Sequence, residues 1–384
     1  MNRRTFLAAG CACGASVTWG LARAQEEWQA PARFARPDIS TDEGGLWSIM
    51  DREETRLRRS PFSVRDPELR DYIQGITCRL AGDHCPDVRV HLVRTPYFNA
   101  SMAPNGMMQV WTGLMLRAEN EAQLAAVLGH EIGHYLSRHT LDRLRDIKSR
   151  SAFGQFLGLF GLAGAVGQLA VVASALAFSR DQEREADQIG IVLMRKAGYD
   201  PAEAGKVWGN LLLEIKARPG DNPEATSPMF ATHPAPEERQ ETLKHLAEAA
   251  PGGVTKEDVW KEKTKVFRRE WLVDEIRRGQ HEESIALLTR MITHAPTQAE
   301  LVTARGEVYR LRGKDGDLDA AISDYQTAVK IGGEPPETHR GLGTVYRTRK
   351  QIPEAKASFH RYLEMAPDAP DHSMIKSYME ELGT

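Results

Sequence analysis

A mainly helical α+β domain with one small β-sheet, followed by an all-α domain of repeated helix pairs, is the fold class this sequence predicts. Three observations predict it. Apolar residues recur at helical spacing among charges through most of the first part of the chain. The pattern changes to strand-like alternation only around residues 88–93 and 107–111. From about residue 268, small and aromatic residues return at an interval of about 34, the length of a two-helix repeat. With 384 residues the chain has room for two folded units, and 41% hydrophobic with 27% charged residues is ordinary globular composition. A formal net charge of -3 gives no electrostatic reason to expect a nucleic-acid partner.

The N-terminus reads as an export signal. Arg3 and Arg4 precede Phe6, Leu7 and a short apolar stretch, and Ala22-Arg23-Ala24 offers a cleavage site, so residues 1–24 are expected to be removed. The paired arginines resemble a twin-arginine signal, with an ordinary secretory signal as the other reading. Leu7-Ala8-Ala9-Gly10-Cys11 loosely resembles a lipid-attachment box. Cleavage takes three arginines and no acid, which moves the net charge from -3 to -6. Cys78 and Cys85 remain, and an oxidising destination predicts a local disulfide between them. With His84 they would supply only three metal ligands.

Residues 44–59 and 66–80 are expected as packing helices, punctuated by Pro61 and Pro67. Residues 88–93 alternate as a half-buried strand, and residues 107–111 follow as a second one after the turn at Pro104-Asn105-Gly106. Glu119-Asn120-Glu121 opens a helix expected to run to about Lys148. Residues 152–178 carry no charge and reach the length of a membrane span, yet one crossing would separate His130 and His134 from the next candidate ligands. Buried or membrane-touching helices are therefore expected there, their glycines allowing close packing. Residues 251–267 read as a connection between domains.

In the last part of the chain Gly343, Tyr346, Ala355, Phe359 and Pro367 fall at the spacing of a tetratricopeptide repeat. Ala321 and Tyr325 lie one period earlier, while Gly306 and Tyr309 align once three residues are inserted near Lys314-Asp315-Gly316. Ser284, Leu288, Met291 and Pro296 then form half of an earlier repeat, and a helix over 371–382 would cap the stack.

The chemistry sits in His130-Glu131-Ile132-Gly133-His134. On a helix of 3.6 residues per turn the two histidines project from one face and can reach one ion, with Glu131 beside them. Zinc favours imidazole nitrogen, takes three protein ligands in catalytic sites and acidifies water at its open position. Glu131 is placed to act as the general base toward that water. A third ligand is available in Ser179-Arg180-Asp181-Gln182-Glu183-Arg184-Glu185-Ala186-Asp187, where residue chemistry alone does not choose between Glu183 and Glu185.

These residues, with Asn99-Ala100 upstream and Thr232-His233-Pro234 and Arg239 downstream, resemble the peptidase family that contains the CAAX prenyl protease and the heat-shock protease HtpX. With the repeats they look most like the BepA-type periplasmic metalloproteases, over nearly the whole mature chain. The resemblance implies a zincin-like metalloprotease domain over 25–250, a linker over 251–267 and a tetratricopeptide-repeat domain over 268–384. It implies one zinc ion held by His130, His134 and Glu183, with Asp187 accepting a hydrogen bond from a ligating histidine. Asn99, Ala100 and the strand at 107–111 would form the edge on which an extended substrate pairs, although Asn105-Gly106 stands where relatives often carry two glycines. His233 follows a proline-containing segment, 218–230, long enough to be a lid. It is a candidate for stabilising the oxyanion, for occupying the fourth zinc position as a latch, or for a structural place. The function implied is an exported, periplasmic zinc endopeptidase acting on misfolded or stalled envelope proteins, its repeats recruiting substrate or a partner protein. The alternative is a periplasmic chaperone or assembly adaptor whose protease is mostly shut.

Overall fold

The structure, a computed structural model, describes residues 28–147, 177–220, 227–234, 236–249 and 251–383. The export segment 1–24 with Cys11, nearly all of the apolar stretch 152–178 and residues 221–226 of the expected lid lie outside the described residues. Among the described residues no helix is long and apolar enough to cross a membrane.

Helix α1 (Asp42–Arg59) starts where the Thr41 side chain accepts the Gly44 N–H, and α2 (Pro67–Ala81) where Asp66 accepts the Leu69 N–H and Pro67 supplies a pre-set φ. Their apolar stripes, Leu46, Trp47, Met50 and Leu57 on one and Leu69, Ile73, Ile76 and Leu80 on the other, are buried. A 3₁₀ turn over Gly82–Asp87 follows, and a disulfide joins Cys78 to Cys85 across it.

Three strands, β1 (Arg89–Val93), β2 (Ala100–Met102) and β3 (Met107–Trp111), form a sheet in the order β1-β3-β2. β1 runs parallel to β3 with Arg89 opposite Met107, and β2 runs antiparallel with Ala100 opposite Val110. The three-residue β2 is too short for alternation to reveal it in sequence. Gly106 has φ 84°, and a Cβ there would lie 2.1 Å from the Asp87 carbonyl oxygen, so the turn requires glycine.

After α3 (Thr112–Arg117), Asn120 caps α4 (Glu121–Leu136), which is buried along its whole length. The single helix expected to reach about Lys148 is instead two. It breaks at Ser137 and Arg138, and α5 (His139–Ile147) restarts at once. The cause is Arg138, whose φ of 58° is left-handed and costs a non-glycine residue about 1–3 kcal/mol. Its guanidinium is held by Glu43 and lies 5.0 Å over the Phe34 ring, contacts that offset the strain. No propensity in the local sequence signals this.

Helix α6 (Arg180–Lys196) opens with a reciprocal capping box between Ser179 and Gln182 and packs across α4. The crossing is close because small residues line it. A Cβ on Gly133 would meet the Ala186 carbonyl oxygen at 2.8 Å, and one on Gly190 would meet the His130 nitrogen at 3.1 Å. Backbone, not a flexible side chain, fills the space, so Gly133→Ala is expected to cost about 1–3 kcal/mol by forcing the helices apart. A lowered melting temperature, with lowered zinc uptake by the folded fraction, is the measurement that checks it.

Helices α7 (Ala202–Lys216), α8 (Pro228–Thr232) and α9 (Pro236–Glu248) complete this part. The stretch expected as a linker is irregular only through Lys256; α10 (Glu257–Arg277) begins inside it and buries Trp260, whose Nε1–H donates to the Ala118 carbonyl at 2.7 Å. Then come α11 (His281–His294), α12 (Ala299–Arg312), α13 (Asp317–Ile331), α14 (Glu337–Thr348), α15 (Ile352–Met365) and α16 (His372–Glu381), each packed on the next. Gly306 admits the Tyr325 ring and Gly343 the Phe359 ring, so the positions aligned in sequence make the same contact in two successive helix pairs. Residues Ala32–Thr384 form one unit. Within it Arg117 of α3, buried at 3% exposure, is ion-paired to Glu214 of α7 at 2.8 Å and to Glu275 of α10 at 2.9 Å.

Candidate metal centre

A helix buried on every side brings its polar residues into the core only if they find partners there. Toward the start of α4 Glu121 is held by Tyr72, Arg79 and Tyr199 and Gln123 by Glu119 and Glu203; toward its end lie His130, Glu131 and His134, whose partners come from α6, α9 and the residue after α8. His130 Nε2 and His134 Nε2 lie 3.0 Å apart. Glu183, in the first turn of α6, stands 3.5 Å from both. His233, directly after α8, places Nδ1 at 3.2 Å from His130 Nε2 and 3.0 Å from Glu183 Oε1. Zinc bonds of about 2.0–2.1 Å in a tetrahedron would separate ligand atoms by about 3.3 Å. The observed spacings of 3.0–3.5 Å fit that figure, and three imidazoles with one carboxylate are a zinc-type donor set. Among the described residues this is the cluster able to hold a metal ion.

Residues 63–247, which hold the sheet, α4 and all four of these side chains, match Peptidase family M48. They form an M48 peptidase domain. The chain is similar to the beta-barrel assembly-enhancing protease of Escherichia coli strain K12, at 30% identity over 226 residues, 53% of this chain and 45% of that protein. A putative beta-barrel assembly-enhancing protease of Vibrio cholerae is 29% identical over 224 residues, with the same coverage of 53% and 45%. The mitochondrial metalloendopeptidase OMA1 of Arabidopsis thaliana is 32% identical over 154 residues, 40% of this chain and 30% of that one. The chain thus spans less than half the length of these relatives.

The electrostatics of the M48 domain prepare His130 and His134 as neutral donors. Burial, helped by the Arg239 charge, pulls His130 down to about 4 against the pull of Asp187, and burial holds His134 well below its ordinary value. Burial pushes Glu131 up to about 7 against the attraction of His233. Its Oε1 has no hydrogen-bond partner among the described residues. Burial also opposes the charge on Glu183, but His233, Arg239 and His134 together hold it well below the carboxylate range. His233 moves up, because Glu183 and Glu131 outweigh its burial.

Asp187 lies 2.8 Å from His130 Nδ1, one turn beyond Glu183 on α6. Glu185, the other ligand candidate, is on a different face, where its carboxylate accepts from Ser137 Oγ at 2.8 Å. Asn99 and Ala100 stand at the start of the edge strand β2, and the Met102 N–H of that strand reaches Glu131; the strand at 107–111, expected to share the substrate edge, is instead the central β3, whose backbone is paired on both sides. The disulfide is not part of the cluster.

Arg239 is the residue whose place here sequence reasoning left unassigned. It donates to Asp187 at 2.6 and 2.9 Å, faces Glu183 at 3.0 Å and lies 4.1 Å over the Trp208 ring. A signal for it exists in the sequence. Arg239, Leu243 and Ala247 share the buried stripe of α9, and an arginine in an apolar stripe implies a buried anion. Phe178 was missed as well; it stacks on His134 at 3.9 Å between ring centroids, and its N–H donates to the Thr232 carbonyl at 3.0 Å.

Proposed function

We propose that the chain is a zinc-dependent endopeptidase for envelope proteins, held latent by His233. The observation that carries this reading is the position of His233 Nδ1, which stands beside His130 and Glu183 as a fourth donor where a catalytic site would leave an opening. All four side chains are buried, at 1–3% exposure, so a peptide reaches Glu131 only after His233 moves.

His130, His134 and Glu183 would hold the zinc ion, which when bound supplies Lewis acidity to the scissile carbonyl and to the attacking water. Glu131 takes the proton of that water at Oε1, which has no hydrogen-bond partner among the described residues and faces His233 Nε2 at 3.5 Å, and delivers it to the leaving amine. Asp187 fixes His130 through Nδ1, and Arg239, paired with both Asp187 and Glu183, offsets half of their combined charge. Asn99 and the strand β2 that follows it from Ala100 offer backbone to an extended substrate next to Glu131. The names of the relatives point to β-barrel proteins in assembly as the substrate class. The chain would work in the periplasm after loss of residues 1–24, and the helices from α10 on, read as tetratricopeptide repeats, would recruit substrate or a partner protein. Closure of the site also favours the second reading, an assembly adaptor that is shut most of the time.

His233→Ala separates the roles. If the competent state is populated at a few per cent, freeing the fourth position is expected to raise zinc-dependent casein cleavage by about tenfold or more. A fall would instead support oxyanion stabilisation, and no change a structural histidine.

A further inference from the structure

We propose that His139 and Glu185 are positioning residues for the metal centre, acting as a relay that fixes the tautomer and orientation of His134. The inference rests on the zinc reading above and concerns residues to which that reading gives no task.

His134 presents Nε2 to the donor cluster, 3.0 Å from His130 Nε2. Its other nitrogen, Nδ1, lies 3.0 Å from His139 Nδ1. Two ring nitrogens at that distance hydrogen-bond only if one carries the proton and the other offers a lone pair. The far end of the pair decides which. His139 Nε2 lies 3.4 Å from Glu185 Oε2, and an ionised carboxylate only accepts. A neutral His139 therefore carries its proton on Nε2, and its Nδ1 is the acceptor. His134 must then donate from Nδ1, which leaves Nε2 bare and aimed at the metal position. The opposite direction would set a lone pair of His139 against a carboxylate and put the proton of His134 where the metal belongs.

Three further features of the fold serve this arrangement. On an unbroken helix, residues five apart point some 140° away from each other, so the break at Arg138, φ 58°, is what turns His139 back toward His134. Ser137, in the same break, donates to Glu185 Oε1 at 2.8 Å and fixes that carboxylate. Phe178 covers a face of the His134 ring, leaving its edge nitrogens to set its orientation. The result parallels His130, which Asp187 backs directly at 2.8 Å. Helix α6 thus supplies one ligand, Glu183, and the carboxylates behind both histidines, Asp187 at first hand and Glu185 through His139.

The test is the zinc dissociation constant of the full chain, measured by competition with a chromophoric chelator, alongside the melting temperature of the metal-free protein. His139→Leu is expected to raise the constant by about 10–100-fold, the usual effect of losing a partner behind a ligand. His139→Asn, whose amide oxygen can accept near the place of Nδ1, should recover most of that loss, and Glu185→Ala should cost less, under about tenfold, across its longer contact. In ¹⁵N-histidine spectra of the metal-free protein, His134 should be protonated at Nδ1 in the wild type and should lose that preference in His139→Leu. Wild-type affinity in His139→Leu would overturn the relay. So would equal loss in the Leu and Asn variants that tracks a lowered metal-free melting temperature, the mark of a packing role. If the wild type itself takes up no zinc, the metal-centre reading falls first and takes the relay with it.

Discussion

Glu131→Gln is expected to lower peptide-bond hydrolysis by about 10²–10⁴-fold while zinc content stays at the wild-type level. Glutamine keeps the shape of the side chain and loses the base. The three residues proposed as ligands are untouched, so a loss of metal along with activity would mean that Glu131 holds the site together rather than serving the reaction. The same substitution has a predictable effect on stability. Burial raises Glu131 from an unfolded value of 4.5 to about 7 in the metal-free fold. A carboxylate raised in the folded state destabilises it once ionised, with the cost setting in above pH 4.5 and complete above about pH 7. Metal-free Glu131→Gln should therefore melt above the metal-free wild type at pH 8 and close to it at pH 4. Activity and stability moving in opposite directions is the behaviour of a base kept in an unfavourable place. Restoration of envelope integrity by Glu131→Gln in a deletion strain, as fully as by the wild type, would favour the adaptor reading over the peptidase.

What the sequence made legible was whatever rests on short-range pattern. The apolar stripes of α1 and α2, the alternation of β1 and the facing of His130 and His134 follow from residues within one or two turns of each other. Glu183 was one of two candidates, and the choice is a matter of helix phase: four residues separate Glu183 from Asp187, placing both on the buried face of α6, while Glu185 falls between. What was hidden depends on contacts between distant segments. Arg138 adopts a left-handed backbone because of Glu43 and Phe34, which lie far upstream in the chain, and so the position of His139 could not be read from its neighbours. Gly129 and Gly133 carried a usable signal, a pair of small residues one turn apart, but its meaning required Gly190 on the opposing helix.

Arg117→Met is expected to cost about 3–5 kcal/mol of stability, because it takes a shared cation from two buried acids at the place where the M48 domain meets the later helices. Arg117 is 3% exposed and binds Glu214 and Glu275, which are no more exposed than it is. Each acid keeps other partners: Arg290 lies 2.5 Å from Glu214, while Arg278 at 2.6 Å and Ser284 at 2.8 Å remain with Glu275. These contacts place the expected cost toward the lower end of the range. The pH dependence identifies the cause. Burial pushes Glu275 up, but Arg117 and Arg278 outweigh it and hold the folded value below 4.5. A carboxylate depressed on folding contributes stability that is present above pH 4.5 and lost as pH falls through the folded value. Removing Arg117 lifts the folded value, so the deficit of the variant should grow from pH 4 to pH 8. A cavity or packing defect would give the same deficit at both. Methionine keeps the apolar stem of the side chain, which limits that second contribution. Since α3 and α7 lie on one side of this cluster and α10 and α11 on the other, the variant should also expose the chain between α9 and α10 to limited proteolysis sooner than it exposes α4. Melting within a degree of the wild type at pH 8, with unchanged cleavage order, would mean that contacts such as Trp260 on Ala118 hold the junction without the ion pairs.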